Sequence, residues 1–371
     1  MEGAFEYKRI VDEATCIIND IPVFSFGLFE EQYFNKAATW DNVFSAMWHH
    51  IQDLKKEERF GYASSFESTL RAIKEFQTGK TYSFNHRKDK VDQREKEYLS
   101  GKPLRFVDIT ATWLKNFERR LKDNHKSTTT IGIYTRNIRV LFNLALKQHK
   151  VKAKYPFNDY TPKSASRRKI ALSAHQISLI ANYQTEHPMQ QFYRDIFMFS
   201  FLGNGMNLSD IARLRYSNIK EGELCFVRQK TKEKDVEETL HVPITKTLQA
   251  IIDRHGKRAV GFDAYVFPIL RNEWDEARKY MEIKQLTKQV NKYIRQIALA
   301  VGIKDKISSY SARHSWATIA KNSGASTEYI KESLGHSTVN VTERYLKSFE
   351  KSNRKEHAEK MENMVLKKGM I

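Results

Sequence analysis

Three short stretches decide how this chain reads: Ser309-Tyr310-Ser311-Ala312-Arg313-His314-Ser315-Trp316-Ala317-Thr318, then Leu334-Gly335-His336-Ser337-Thr338, then Thr342-Glu343-Arg344-Tyr345-Leu346. The pattern predicts helices over 311–322 and 327–334, with a third around 341–346. Gly324 and Gly335 fall where those helices should end, because glycine takes the left-handed conformation that closes a helix. Asn340 with Glu343 three residues later fits an N-terminal capping pair for the last helix. Tyr345 follows His336 by nine residues.

Working outward, the chain ahead of these stretches is mixed. A strongly apolar helix is expected from Met189 to Leu202 and another helix from Leu286 to Val301. Leu224-Cys225-Phe226-Val227-Arg228 and Thr239-Leu240-His241-Val242-Pro243-Ile244 alternate like short strands, joined by a charged loop of turn-tolerant residues. The expectation for 170–350 is therefore a mainly α domain with a small antiparallel β-sheet.

Further upstream, residues 159–169 contain a proline, small polar residues and the basic run Arg167-Arg168-Lys169, without helical periodicity. They read as a basic linker whose charge suits phosphates, although a solvated loop has the same composition. Before it, helices are expected near 40–53, 62–76 and 110–124. Another is marked by Tyr134, Ile138, Leu141 and Ala145 at steps of 4, 3 and 4. Its other face carries Arg136, Arg139, Asn143 and Lys147. Such a cationic stripe can hold phosphates, and it is also what an ordinary surface helix displays. Residues 24–158 thus read as an all-helical domain, preceded by a short segment over 1–23 and followed, after residue 350, by a charged tail over 351–371.

Composition bounds the function. The chain of 371 residues carries 63 Lys and Arg against 44 acidic residues, a net charge of +19, which favours a polyanionic partner such as nucleic acid. Hydrophobic residues at 40% and aromatics at 12% suffice for two cores. No apolar run is long enough to span a membrane, and the N-terminus has no apolar signal region. Two cysteines, Cys16 and Cys225, are too few for a disulfide framework and too distant in sequence for a metal-ligand pair. The expectation is a cytoplasmic protein with no cofactor and no metal.

The three quoted stretches resemble the tyrosine recombinase (phage integrase) family, which carries Arg-His-x-x-Ala-Thr, then Leu-Gly-His, then a tyrosine nine residues after that histidine. Arg313-His314 with Ala317-Thr318, Leu334-Gly335-His336 and Tyr345 match in order, and the likeness extends over about 170–350. The resemblance implies an all-helical core-binding (SAM-like) domain followed by the catalytic domain. It implies that double-stranded DNA is cut and rejoined through a 3′-phosphotyrosine intermediate, without metal or ATP, in DNA integration and recombination of a mobile genetic element. Tyr345 would attack the phosphate, while Arg313 and His336 would hold its non-bridging oxygens, where the transition state gathers negative charge. Lys230, in Arg228-Gln229-Lys230-Thr231, matches the family's β-hairpin lysine and would protonate the departing 5′ oxygen; Lys232 and Lys234 are neighbouring alternatives. Arg136, Arg139, Lys147, Arg167 and Arg168 are the candidate DNA contacts. A homotetramer on DNA follows from the same likeness, with the tail docking on a neighbouring protomer or simply fraying. About 20 residues precede the helical domain, too few for the arm-binding domain that many integrases carry.

Two positions depart from the family pattern. Its usual Thr-Gly-Leu-Arg-x-Ser-Glu segment corresponds to Asn204-Gly205-Met206-Asn207-Leu208-Ser209-Asp210, so an uncharged Asn207 stands where an arginine is usual. Recombinases of Bacteroidetes-type mobile elements are similar in lacking it, and Arg228, Arg213 or Arg215 could reach in instead. Tyr310 stands where the family usually has histidine, and a phenol can donate a hydrogen bond there. These changes leave open a recombinase-fold DNA-binding protein with impaired cleavage; a type IB topoisomerase-like enzyme shares the tyrosine chemistry.

Overall fold

A computed structural model describes residues 42–83, 91–147, 151–164, 170–229, 239–257 and 261–336, with isolated positions near both ends. The chain divides into two units, Met1–Arg167 and Arg168–Ile371. Among the described residues, no helix is long and apolar enough to cross a membrane.

The first unit is all-helical. Helices α1 (Val43–Lys56), α2 (Phe60–Thr78), α3 (Val91–Leu99), α4 (Ala111–Asp123) and α5 (Thr128–Lys147) enclose one core. Apolar positions recur three and four apart, as Val43, Met47, Ile51 and Leu54 do along α1, so each helix turns one stripe inward. Asn42 caps α1 by accepting from the Phe44 amide at 3.1 Å, and Thr110 caps α4 by accepting from Trp113 at 3.1 Å. The helix α3, absent from the sequence reading, is rich in charged residues, and its apolar signal is weak. Several polar groups inside this unit are paired. Arg94 meets Glu67 at 2.6 Å, and the Asn137 amide donates to Ser65 and Thr69 of α2, at 2.9 Å in each case.

The segment after α5 packs back on this unit. Tyr160 is buried in the helical core and its hydroxyl donates to Glu118 at 2.9 Å. Lys163 and Lys122 reach the same carboxylate at 2.6 and 2.7 Å. The backbone runs so close to α5 that a Cβ on Gly132 would lie 1.9 Å from the Lys163 carbonyl oxygen. Residues 159–164, read from sequence as the start of a linker, are thus strapped to the helical body, while 165–169, with Arg167 and Arg168, lie outside the described residues.

The second unit is mainly helical around a small sheet. The helices are α6 (Ala174–Ala181), α7 (Pro188–Leu202), α8 (Leu208–Arg213), α9 (Lys246–His255), α10 (Glu276–Ala300), α11 (Ser309–Asn322) and α12 (Thr327–Leu334). The strands β1 (Ile219–Lys220), β2 (Glu223–Val227) and β3 (Thr239–Pro243) pair antiparallel in that order. The central helix is α7, apolar along most of its length because α6, α8, α9, α10 and α11 all pack on it. One buried carboxylate, Asp195, ties α7 to α9: it accepts from Arg194, Arg254 and His255 at 2.7–2.9 Å. In the sheet, Leu224, Phe226, Leu240 and Val242 face the core, and Cys225 and His241 stand opposite each other on the outer face.

The fold class expected from sequence is the one observed, with shifts in detail. The helix expected to begin at Leu286 starts at Glu276, where Asp275 caps it by accepting from Arg278 at 2.7 Å. Helices α6, α8 and α9 are additional to those read from the periodicity, since each spans only about two or three turns.

Candidate functional site

Helix α11 carries Arg313 in a turn buried all round, with Ser311, Ala312, His314 and Ser315. Its start is pinned twice: Ser308 and Ser311 form a capping box, and the Ser309 amide donates to Asn291 of α10 at 2.7 Å. Ser315 donates to the Ser311 carbonyl at 2.7 Å while its oxygen accepts from the Leu172 amide at 2.8 Å. Arg313 therefore projects from a turn that cannot rotate.

The Arg313 guanidinium, 3% exposed, meets two backbone carbonyls. It donates to Gly205 at 2.9 Å and to Leu334 at 2.5 Å. Gly205 has φ +70°, and a Cβ there would sit 2.9 Å from Arg313 Cγ, so only glycine lets this turn lie against the arginine.

The Leu334 carbonyl belongs to the end of α12. Gly335 leaves the helix in the left-handed conformation, with its amide donating to Glu332 and that of His336 to Lys331, the paired bonds of a Schellman motif. That stop places the His336 ring beside Arg313, with Nε2 3.1 Å from the guanidinium. Arginine offers only donors, so in this contact Nε2 is the acceptor.

Arg228, just past β2, closes the cluster. It is 7% exposed and donates to Leu334 at 2.9 Å and to Gly335 at 2.6 Å. A Cβ on Gly335 would approach its Cδ to 2.7 Å. The carboxyl facing the two guanidiniums is that of Asp210, which accepts from the Gln229 amide at 3.0 Å and lies 3.5 Å from the Asn207 amide. Burial pushes this carboxyl above the usual carboxylate range, although Arg228 and Arg313 pull the other way. Two cations and one reluctant carboxylate make a site with excess positive charge, suited to a phosphate.

Residues 171–352 match the phage integrase family, and residues 42–161 match the phage integrase SAM-like domain. The chain belongs to the phage integrase family. As a member it is a site-specific recombinase that acts on DNA. It is 24% identical over 249 residues to the tyrosine recombinase XerD of Oceanobacillus iheyensis, covering 64% of this chain and 80% of that one. The fold is shared with lambda integrase. A dimer bound to a COC′ core site gives a TM-score of 0.53 at 14% identity, over 80% of this chain and 94% of that one. A tetramer bound to a Holliday junction gives 0.50 at 14%, over 75% and 85%.

In this recombinase the departures from the family pattern have definite places. Asn207 sits at the start of α8 with its side chain toward Asp210. Of the three arginines weighed as substitutes, Arg213 pairs with Glu276 at 2.7 Å, and Arg215 pairs with Asp263 at 3.0 Å and stacks on Tyr265. Arg228 is the one that stands with Arg313 and His336. Tyr310, 41% exposed on the first turn of α11, lays its ring against buried His314 with centroids 4.9 Å apart. Tyr345 and Lys230 lie outside the described residues. Asp210 was not singled out from sequence, yet it stands where the matching segment carries its acid.

On the recombinase's helical unit, the stripe of α5 is partly committed. Arg136, half-buried, donates to the Lys163 carbonyl at 3.3 Å; Arg139 is half-buried, and Lys147 is exposed. Arg136 thus helps hold the 159–164 strap.

Proposed function

We propose that the recombinase cuts and rejoins double-stranded DNA through a 3′-phosphotyrosine intermediate at Tyr345, with Arg228 taking the place left by Asn207. The observation that carries this reading is the convergence of Arg228, Arg313 and His336 around the last turn of α12. Guanidiniums from two separate elements, fixed by backbone acceptors, present a preformed cationic wall to the non-bridging oxygens. The Tyr345 oxygen gives up its proton to water and forms a bond to phosphorus as the bond to the 5′ oxygen breaks, and the Lys230 ammonium gives its proton to that oxygen. Reversal by a 5′ hydroxyl of another strand releases the tyrosine. The phosphodiester energy is kept in the tyrosine ester, so neither ATP nor a metal is needed for resealing. Exchange between two duplexes calls for four protomers, and a homotetramer on DNA belongs to the same proposal.

Covalent capture tests it. Incubation with a nicked duplex bearing the end sequence of the encoding element should yield an SDS-resistant adduct mapping to Tyr345. Tyr345→Phe should bind that duplex with unchanged affinity and give no adduct. An adduct that persists in this variant, or one that maps elsewhere, overturns the assignment.

A further inference from the structure

The outer face of the β-hairpin carries a second cluster, remote in function from phosphate binding. Glu223 and Cys225 lie two residues apart on β2, so both point outward, and strand register sets His241 of β3 directly opposite Cys225. His241 Nδ1 stands 3.1 Å from Glu223 Oε2 and 3.5 Å from Cys225 Sγ. The three ligand atoms all fall within 4.8 Å of one another.

We propose that these three side chains form a zinc site that clips β2 to β3. The spacing is the argument. Zinc binds imidazole at about 2.0–2.1 Å, carboxylate at about 2.0–2.2 Å and thiolate at about 2.3 Å, so tetrahedral geometry sets nitrogen and oxygen about 3.3 Å apart and nitrogen and sulfur about 3.6 Å apart. The observed separations of 3.1 and 3.5 Å match those edges within the tolerance of a side-chain rotation. The donor set also selects the ion. Thiolate and imidazole exclude magnesium and calcium, whereas all three types are zinc ligands. All three side chains are at least partly accessible, leaving the fourth position to water. Two of the ligands are 16 residues apart, and only the strand pairing brings them together, so no sequence spacing announces the site. Bound zinc would fasten the base of the hairpin whose connecting loop contains Lys230.

Cobalt titration of the full-length protein tests the site. One equivalent of Co2+ should give a thiolate-to-cobalt charge-transfer band in the near ultraviolet, and Zn2+ should displace it. Cys225→Ser should lose the band, whereas Cys16→Ser should keep it. Glu223→Gln should keep the band and weaken zinc binding at least about tenfold in chelator competition, which gives a reading even if Cys225→Ser does not fold. Absence of the band in the unaltered protein, its survival in Cys225→Ser, its loss in Cys16→Ser, or unchanged zinc affinity in Glu223→Gln overturns the proposal. In that event the three side chains are only a hydrogen-bonded string.

Discussion

Arg228 and Arg313 donate to the same acceptor, the carbonyl oxygen of Leu334, at 2.9 and 2.5 Å. One residue arrives from the end of a strand and the other from a helix, and both are held by a single peptide at a helix stop. Two like charges stay together because backbone carbonyl dipoles face them.

That shared acceptor makes Arg228 testable as the substitute for the missing arginine. Arg228→Lys keeps the charge but loses the planar guanidinium whose Nη1 donates to both Leu334 and Gly335. The rate of adduct formation in single turnover should fall by about 10²–10³-fold, the usual loss on removing one transition-state donor, with DNA affinity little changed. Arg213→Lys, at a side chain committed to Glu276, should leave the rate within a few-fold. The reverse ranking would assign the role to Arg213.

The turn at Gly205 predicts a stability loss confined to the catalytic unit. Gly205→Ala places a Cβ at φ +70° and 2.9 Å from Arg313 Cγ. The backbone conformation alone should cost about 1–2 kcal/mol. For a unit of this size that lowers the melting temperature by about 2–8 °C. Calorimetry should show this, together with slowed cleavage, because Arg313 must shift. An unchanged melting temperature would mean that the turn relaxes freely.

Glu118 predicts an acid-sensitive helical unit. Burial raises its carboxyl, but hydrogen bonds from Lys122, Lys163 and Tyr160 outweigh this and hold it down at about 2. A depressed folded-state pKa stabilises the fold fully above the unfolded value of about 4.3. The contribution drains away as the pH falls from there toward 2. Urea midpoints followed by circular dichroism should drop over that window, and Glu118→Gln should flatten the drop while lowering the neutral-pH midpoint. An equal slope in both proteins would show that the strap does not depend on this charge.

The α5 stripe predicts a salt signature. If Arg139 and Lys147 contact phosphates, replacing either with Gln should reduce the slope of log affinity against log salt by about 0.9. Arg136→Gln should also expose the 159–164 strap to proteolysis, since Arg136 holds the Lys163 carbonyl. Unchanged slopes would turn the stripe away from DNA.

How much of this was readable beforehand depends on the distance over which each feature is determined. Local signals sufficed for the longer amphipathic helices, for the glycine stop at Gly335 and for the β2–β3 alternation. The pairing of Arg313 with His336 was legible only because the motif order matches the family. Choosing Arg228 over Arg213 and Arg215 required the tertiary fold, because all three are arginines near one another in sequence and only their partners differ. Asp210 escaped because a buried acid has no periodic signature. The Glu223, Cys225 and His241 cluster escaped because strand register, not spacing, creates it.

The cluster at the end of α12 also bears on what the substrate does for the protein. Two buried guanidiniums faced by a carboxyl that resists ionising leave a surplus of charge inside the fold. A phosphodiester seated there, as proposed, would neutralise that surplus at the point where strand, helix and helix stop converge. On the proposed mechanism DNA would then be a structural member as well as a reactant, a counter-charge for the catalytic unit while a scissile phosphate is in place.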